Sequence, residues 1–316
     1  MKESREMTRE ELSKKRIGVL MGGLSAEREV SLSSGRAVLE ALREKGYEVV
    51  AVDVGRDPHR AIESARIEVA FIALHGRWGE DGVIQGLLES MGIPYTGSGV
   101  TASALGMDKI RSRWIFEKHG LPVPEYAVAT NADEAAEAIA KRGLGLPLVV
   151  KPSKEGSSVG VSIVRREDQL MDAIEGALSF GHPILMERYI AGREIQVGIL
   201  EDEALGAIEI RPKVEFYDYR AKYTEGLAEH LFPAPIPQDK YREALHLGLT
   251  AHKLLGCEGG TRVDLRLEDG GSFYVLEVNT LPGMTPLSLL PEIARGVGIE
   301  FPDLCERILL GARLKA

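Results

Sequence analysis

The sequence predicts an α/β fold that gives way to α+β: a helix-covered parallel sheet in the N-terminal third, then antiparallel units. From Ile17 to Gly92, short apolar runs alternate with helix-like stretches closed by glycine, the pattern of right-handed βαβ crossovers. Beyond Leu121-Pro-Val-Pro124, a strand runs through a Gly/Ser loop straight into another strand, with no crossover helix between them. The last third opens on strand-like alternation and ends in two strands joined through Asp269-Gly-Gly271.

The elements follow in chain order. The first sixteen residues are mostly polar and predict a flexible tail or short helical extension over residues 1–15. Ile17–Met21 is an apolar run that leads into Gly22-Gly23, and a helix is predicted from about Ser25 to Lys45. Gly46 then stands where a helix C′ glycine belongs. Tyr47–Val54 and Val69–Leu74 read as strands, and Val83–Met91 as a short helix closed by Gly92. The loops Gly22–Glu27 and His75–Gly82 follow strand C-termini, where parallel sheets bind ligands. Tyr95–Gly99 leads into one long helix through Lys118, and the prolines of Leu121–Pro124 mark a hinge or a boundary. Predicted strands at 148–151, 161–164 and 184–187, with a helix over 168–178, make a small α+β unit. Two strands at 194–200 and 204–210 precede a polar, tyrosine-rich segment, 211–237, long enough to predict a functional lid. A helix over 241–255 and strands over 261–267 and 272–279 complete the reading.

Composition narrows the function classes. Lys+Arg 39 against Asp+Glu 48 gives a formal net charge of −9, and the basic residues do not cluster, so nucleic-acid binding is not expected. Cys257 and Cys305 make neither a disulfide framework nor a metal-ligand pattern, and fit a reducing compartment. No stretch resembles a signal peptide core or a membrane helix, so the expectation is a cytoplasmic protein without a membrane partner.

The sharpest chemical signal is the final strand pair. Residues i and i+2 share a strand face, so Glu277 projects with Asn279 and Arg262 with Asp264. If the strands pair, two carboxylates and an amide oxygen converge beside a guanidinium, a hard-oxygen set that suits Mg²⁺. The same residues could form a solvated face with ordinary cross-strand ion pairs, and Val263, Leu265, Val275 and Val278 do not discriminate. The loop Pro152–Gly160 after Lys151 has the glycines and serines to cradle a phosphate, though an ordinary hairpin turn with a surface lysine has the same composition. It is not a Walker A loop, because the lysine precedes the glycines and a strand follows. Gly97-x-Gly99-x-x-Ala102 matches a loose dinucleotide fingerprint, but no acidic residue marks a ribose site.

Seven motifs in order resemble those of the D-alanine–D-alanine ligases, within the ATP-grasp superfamily. They are Gly22–Ser31, His75–Gly82, Tyr95–Gly99, Met107-Asp-Lys109, Lys151–Gly160, Tyr217–Tyr223 and Glu277–Met284. The resemblance implies an N-terminal α/β domain (1–97) for the first D-alanine. A central lobe (98–187) and a C-terminal lobe (188–316) would then grip ATP between antiparallel sheets. It implies that Lys109, Lys151, Glu187 and Lys222 contact the nucleotide, that Ser157 and Ser158 lie in its phosphate loop and that Glu194 lies near its ribose. Asp264, Glu277 and Asn279 match positions that hold two Mg²⁺ ions, with Mn²⁺ as a substitute. Glu27 would take the first substrate's ammonium, with His75 near its carboxylate. Arg262 and the Gly283 N–H would stabilise the oxyanion, while Ser288 and the Leu289 backbone take the second carboxylate.

By the same resemblance, Glu27, Ser157 and Tyr223 form a hydrogen-bonded set that ties the lid shut. Tyr223 after Lys222 implies D-alanine rather than D-lactate as second substrate, and relatives imply a homodimer. Pro286 and Leu287 depart from a polar pair found in some members, and Leu24 from a common threonine or serine. Retention of Arg262, Asp264 and Glu277 argues against a relative that has lost catalysis.

Overall fold

A computed structural model of the chain describes residues 7–212, 228–286 and 288–315. Ahead of the first strand, α1 (Arg9–Leu12) is opened by a capping box between Thr8 and Glu11. Its Leu12 is fully buried in one core with Ile17, Val38, Leu42 and Leu304. Residues 7–15 are therefore docked, not a flexible tail. Met7 and Leu12, which pack on the same core, are the only apolar residues there.

β1 (Ile17–Met21), β2 (Val49–Asp53) and β3 (Val69–Ile72) form a parallel sheet in the order β2-β1-β3. α2 (Arg28–Glu44) returns the chain from β1 to β2 and buries Val38, Leu39 and Leu42. α3 (Pro58–Ala65), absent from the sequence reading, connects β2 to β3. It opens with Asp57 accepting from Arg60 N–H and with Pro58 in its first turn. α4 (Val83–Met91) ends at Gly92 in the left-handed region.

The single long helix expected after Gly99 is two. α5 (Val100–Met107) stops at Asp108, whose carboxylate accepts from Ile110 and Arg111 N–H and so starts α6 (Lys109–Lys118). Aspartate is worth more as an N-cap than inside a helix, and the break makes Lys109 the first residue of α6. The expected hinge at Leu121–Pro124 is tied down, because Val275 N–H donates to Pro122 O and Leu121 is buried.

β4 (Tyr126–Ala129), β5 (Leu148–Pro152), β6 (Ser162–Val164) and β7 (Ile184–Arg188) form an antiparallel sheet in the order β4-β7-β5-β6. α7 (Ala132–Arg142) and α8 (Leu170–Leu178) share its core, where Ala135 and Ile174 lie with Leu148, Val150 and Met186. β4 and α7 are additions to the sequence reading, although Asn131 and Gly143 cap α7 in the usual way.

The third sheet is also antiparallel. β8 (Gly192–Leu200), β9 (Glu203–Pro212), β10 (Ala228–Leu231), β11 (Gly260–Glu268) and β12 (Phe273–Asn279) run in the order β10-β9-β8-β11-β12. The end of β9 and all of β10 fall inside the segment expected to be one irregular lid. The rest of that segment, 213–227 with Lys222 and Tyr223, lies outside the described residues. α9 (Gln238–Leu254) covers this sheet, and Ala102 of α5 and Phe116 of α6 join the same core. α10 (Leu289–Gly296) and α11 (Phe301–Leu310) carry the chain back to the first core, where Leu290, Ala294 and Leu304 pack with Val19 and Leu39.

Candidate active site

The final strand pair is built as its side-chain chemistry requires. β11 and β12 pair antiparallel with Arg262 opposite Asn279 and Asp264 opposite Glu277. The register then skips from Asp264–Glu277 to Leu265–Val275, which leaves Leu276 as a bulge residue. Val275 and Val278 are three apart, yet both reach the core, and only such a bulge permits that. Arg262 grips Asp264 with two bonds, Nε to Oδ1 at 2.7 Å and a terminal nitrogen to Oδ2 at 3.0 Å. Glu277 Oε2 lies 3.2 Å from Lys109 Nζ. Asn279 Nδ2 is buried with no hydrogen-bond partner among the described residues; as a donor it would serve a ligand oxygen, while a cation would take the side-chain oxygen. Two carboxylates and a carboxamide fit a hard divalent cation completed by ligand oxygens. Among the described residues there is no cluster of three acidic, histidine or cysteine side chains that would hold a metal by itself.

Between the second and third sheets lies a cavity of about 390 Å³, lined by Lys109, Lys151, Ser157, Glu187, Asp264 and Glu277 among others. Val149, Ile163, Ile190 and Leu276 give it apolar walls, as a flat aromatic base would need. Glu187 is buried between two cations, 2.5 Å from Lys151 Nζ and 2.5 Å from a terminal nitrogen of Arg113. Burial alone would raise its pKa, but the guanidinium of Arg113 and the ammonium of Lys151 hold it below the usual carboxylate range. Glu194 lines the same cavity and accepts from Gln196 Nε2 at 3.0 Å.

The Gly/Ser loop reaches from this cavity to the parallel sheet. Ser157 and Ser158 both have positive φ, +49 and +59, which non-glycine residues hold only when their surroundings over-determine them. The Ser157 hydroxyl donates to Glu27 Oε1. Glu27 stands at the N-cap position of α2 but makes no capping bond, so its carboxylate is available to the site. It is enclosed by glycines: a Cβ on Gly76 would lie 2.6 Å from Glu27 Oε2, and one on Gly156 2.9 Å.

His75 is held by protein contacts on both ring nitrogens. Its Nδ1 lies 3.1 Å from Leu281 O, which can only accept, so Nδ1 carries the proton. Nε2 therefore accepts from the Ser34 hydroxyl at 3.1 Å, and Ser34 Oγ accepts from Met284 N–H at 3.2 Å. Both ring nitrogens are thus committed to holding the loop that carries Gly283, and neither is presented to a substrate carboxylate. Beside this ring, Glu80 has its pKa raised by burial and by the nearby Glu27 charge, with His75 opposing. At Gly283 a Cβ would come within 2.8 Å of Ser288 Oγ, so a side chain there would displace that hydroxyl. Ser288 Oγ meets Thr285 N–H at 3.1 Å and stands at the N-cap of α10, whose first residue is Leu289.

The described residues thus bring Glu27 and Ser157 into contact. They set Lys109, Lys151, Ser158, Glu187, Glu194, Asp264 and Glu277 around one cleft and Arg262 against Asp264. Lys222, Tyr223 and Leu287 lie outside them. Arg113 and Ser34 were missed. Their signals were faint: a basic residue four after Lys109, and a second serine three after Ser31 on the buried face of α2.

Family models described as D-ala D-ala ligase N-terminus and D-ala D-ala ligase C-terminus match residues 16–60 with 56–98, and residues 115–310. The D-alanine--D-alanine ligase of Geotalea uraniireducens is 59% identical, covering 98% of this chain and 99% of the relative. That of Geobacter sulfurreducens is 58% identical, covering 98% of each. Among solved structures, the D-alanine--D-alanine ligase of Bacillus anthracis complexed with ATP is 35% identical with a TM-score of 0.81, over 94% of this chain and 97% of that one. A D-Ala:D-Ser ligase from Enterococcus faecalis is 29% identical with a TM-score of 0.82, over 93% and 98%.

Proposed function

The chain belongs to the D-alanine–D-alanine ligase family, and we propose that it performs that family's reaction with the residues gathered around the cleft. It is an ATP-dependent ligase that joins two D-alanine molecules for peptidoglycan precursor synthesis. A carboxylate is a poor acyl donor, so a carboxylate oxygen of the first D-alanine takes the γ-phosphoryl group and ADP leaves. The free amine of the second D-alanine attacks the acyl-phosphate carbon, sheds a proton, and phosphate departs with the C–O bonding pair. Phosphoryl transfer of this kind needs alignment and charge neutralisation more than covalent help.

Each role has a motivating observation. Glu27 holds the first ammonium, supported by its burial between two glycines and its bond from Ser157. Lys151 and Lys109 face the phosphates from the cleft wall, with Ser157 and Ser158 in the loop beside them. Glu187 orients Lys151, and Glu194 stands at the cavity's edge for a ribose. Mg²⁺ held by Asp264, Glu277 and Asn279 would supply phosphate charge neutralisation, with Mn²⁺ as a substitute. Arg262 and the Gly283 N–H meet the carbonyl oxygen as charge develops on it. Ser288 and the Leu289 N–H, at the start of α10, take the second carboxylate. On the resemblance alone, Lys222 and Tyr223 would complete the lid, and the active form would be a cytoplasmic homodimer.

The observation that carries this reading is the Ser157–Glu27 bond, since it joins the phosphate loop to the parallel-sheet loop that faces it. Ser157→Ala tests it. Its KM for the first D-alanine should rise by about ten- to a hundredfold, the order of a lost bond to a charged group. Unchanged D-alanine kinetics would refute it.

A further inference from the structure

Arg113 is the largest fully buried side chain among the described residues. It stands four residues after Lys109 on α6, so the two project from one face of the helix. Lys109 Nζ reaches Glu277 and donates to Glu155 O at 2.8 Å. Arg113 reaches Glu187 on β7 at 2.5 Å and Val275 O on β12 at 2.9 Å. One guanidinium therefore ties the second sheet to the third, next to the bulge that precedes Glu277. Its Nε has no hydrogen-bond partner among the described residues. A buried, incompletely satisfied cation is poor value for stability, because an apolar side chain of similar volume packs at lower cost.

The charge balance supplies a reason for it. Glu187 carries one negative charge between Arg113 and Lys151, and Glu277 is set against Lys109, so the five groups carry one positive charge in surplus when Lys151 is protonated, a state that burial opposes and the Glu187 charge favours. Without Arg113, Lys151 and Glu187 would neutralise each other. Both oxygens of Glu187 would also be free to swing with Lys151, instead of one being pinned at 2.5 Å. We propose that Arg113 is a positioning residue for phosphoryl transfer: by holding Glu187 it aims Lys151 and keeps the cleft electropositive toward the nucleotide phosphates. The proposal rests on Lys151 being a phosphate ligand, as read above.

The test is the calorimetric Kd for ATP measured in EDTA, so that the cation site plays no part, with Tm and the Kd for D-alanine recorded alongside. Arg113→Met should weaken ATP by about ten- to a hundredfold, the range for a lost hydrogen bond to a charged group, and leave D-alanine binding unchanged. Arg113→Lys keeps the charge and should retain more affinity than Arg113→Met. Arg113→Met/Glu187→Gln removes both opposite charges and should bind ATP more tightly than Arg113→Met alone. If Arg113→Met does not fold, Arg113→Gln, which keeps a donor for Val275 O without the charge, replaces it as the reference for both comparisons. A wild-type ATP Kd in folded Arg113→Met, or a double variant no tighter than the single, would overturn the proposal; a fall in Tm with unchanged Kd would make Arg113 structural only. Lys151→Met separates the two readings. If it binds ATP normally, the role of Lys151 itself falls; if it weakens ATP and Arg113→Met does not, only the proposal for Arg113 falls.

Discussion

Replacing Gly76 by alanine puts a methyl group against the carboxylate proposed to hold the first D-alanine. Gly76 has φ +70, so any side chain there costs about 1–2 kcal/mol in backbone strain alone. The new Cβ would also lie 2.6 Å from Glu27 Oε2 and 3.1 Å from Ser25 Cβ. Ordinary contact requires roughly 3.5 Å, so the carboxylate must retreat by close to 1 Å. Misplacement on that scale can cost on the order of a hundredfold in rate. We expect kcat/KM for D-alanine to fall by about ten- to a hundredfold, with KM for ATP little changed. Gly92→Ala is the matched control. It also has positive φ, +67, but nothing within 4 Å of its added Cβ, so it carries the strain without the clash. Steady-state kinetics and thermal melts on both variants decide the matter. If Gly76→Ala and Gly92→Ala lose similar stability and share the same D-alanine kinetics, Glu27 does not anchor the substrate.

Three further changes probe other parts of the account. Glu277→Gln should lower turnover by at least about a hundredfold and abolish Mn²⁺ binding with Tm unchanged, and near-normal activity would contradict the metal assignment. Leu12→Ala should cost about 2–5 kcal/mol in urea unfolding, because that side chain is fully buried; a loss under about 0.5 kcal/mol would return residues 7–15 to a loose tail. His252 is pushed down from 6.5 to about 4 by burial, so the unfolded chain binds its proton first and stability falls as pH drops from 6.5 to 4. The accumulated loss is roughly 3 kcal/mol, and His252→Gln should flatten the wild-type curve in that window; parallel curves would count against it.

Much of the scaffold was legible because each feature had a local cause. Glycines at 46 and 92 close α2 and α4 in the left-handed region, where a side chain is strained and glycine is not. That Glu277 projects with Asn279 and Arg262 with Asp264 followed from strand parity, and it held because the bulge at Leu276 lies outside both pairs. That bulge itself was not foreseeable, since only the demand that Val275 and Val278 both reach the core reveals it. The break at Asp108 was missed although Gly106 and Asp108 are both poor helix formers, and the two short helices make sense only when packed on the third sheet. The protein contacts of His75 could not be read from the sequence. Its neighbours Ser34, Leu281 and Met284 are far away in sequence and meet it only through the tertiary fold. Arg113 belongs to the same class, since its partners come from β7 and β12.

Phosphate release with Mg-ATP and D-alanine, with the product identified, tests the central claim most directly. L-alanine alone and D-alanine with D-lactate or D-serine serve as parallel reactions. The account predicts ADP, phosphate and D-alanyl-D-alanine in equal amounts from D-alanine alone, and no turnover with L-alanine. No dipeptide from D-alanine, or a mixed product preferred over it, would contradict the account.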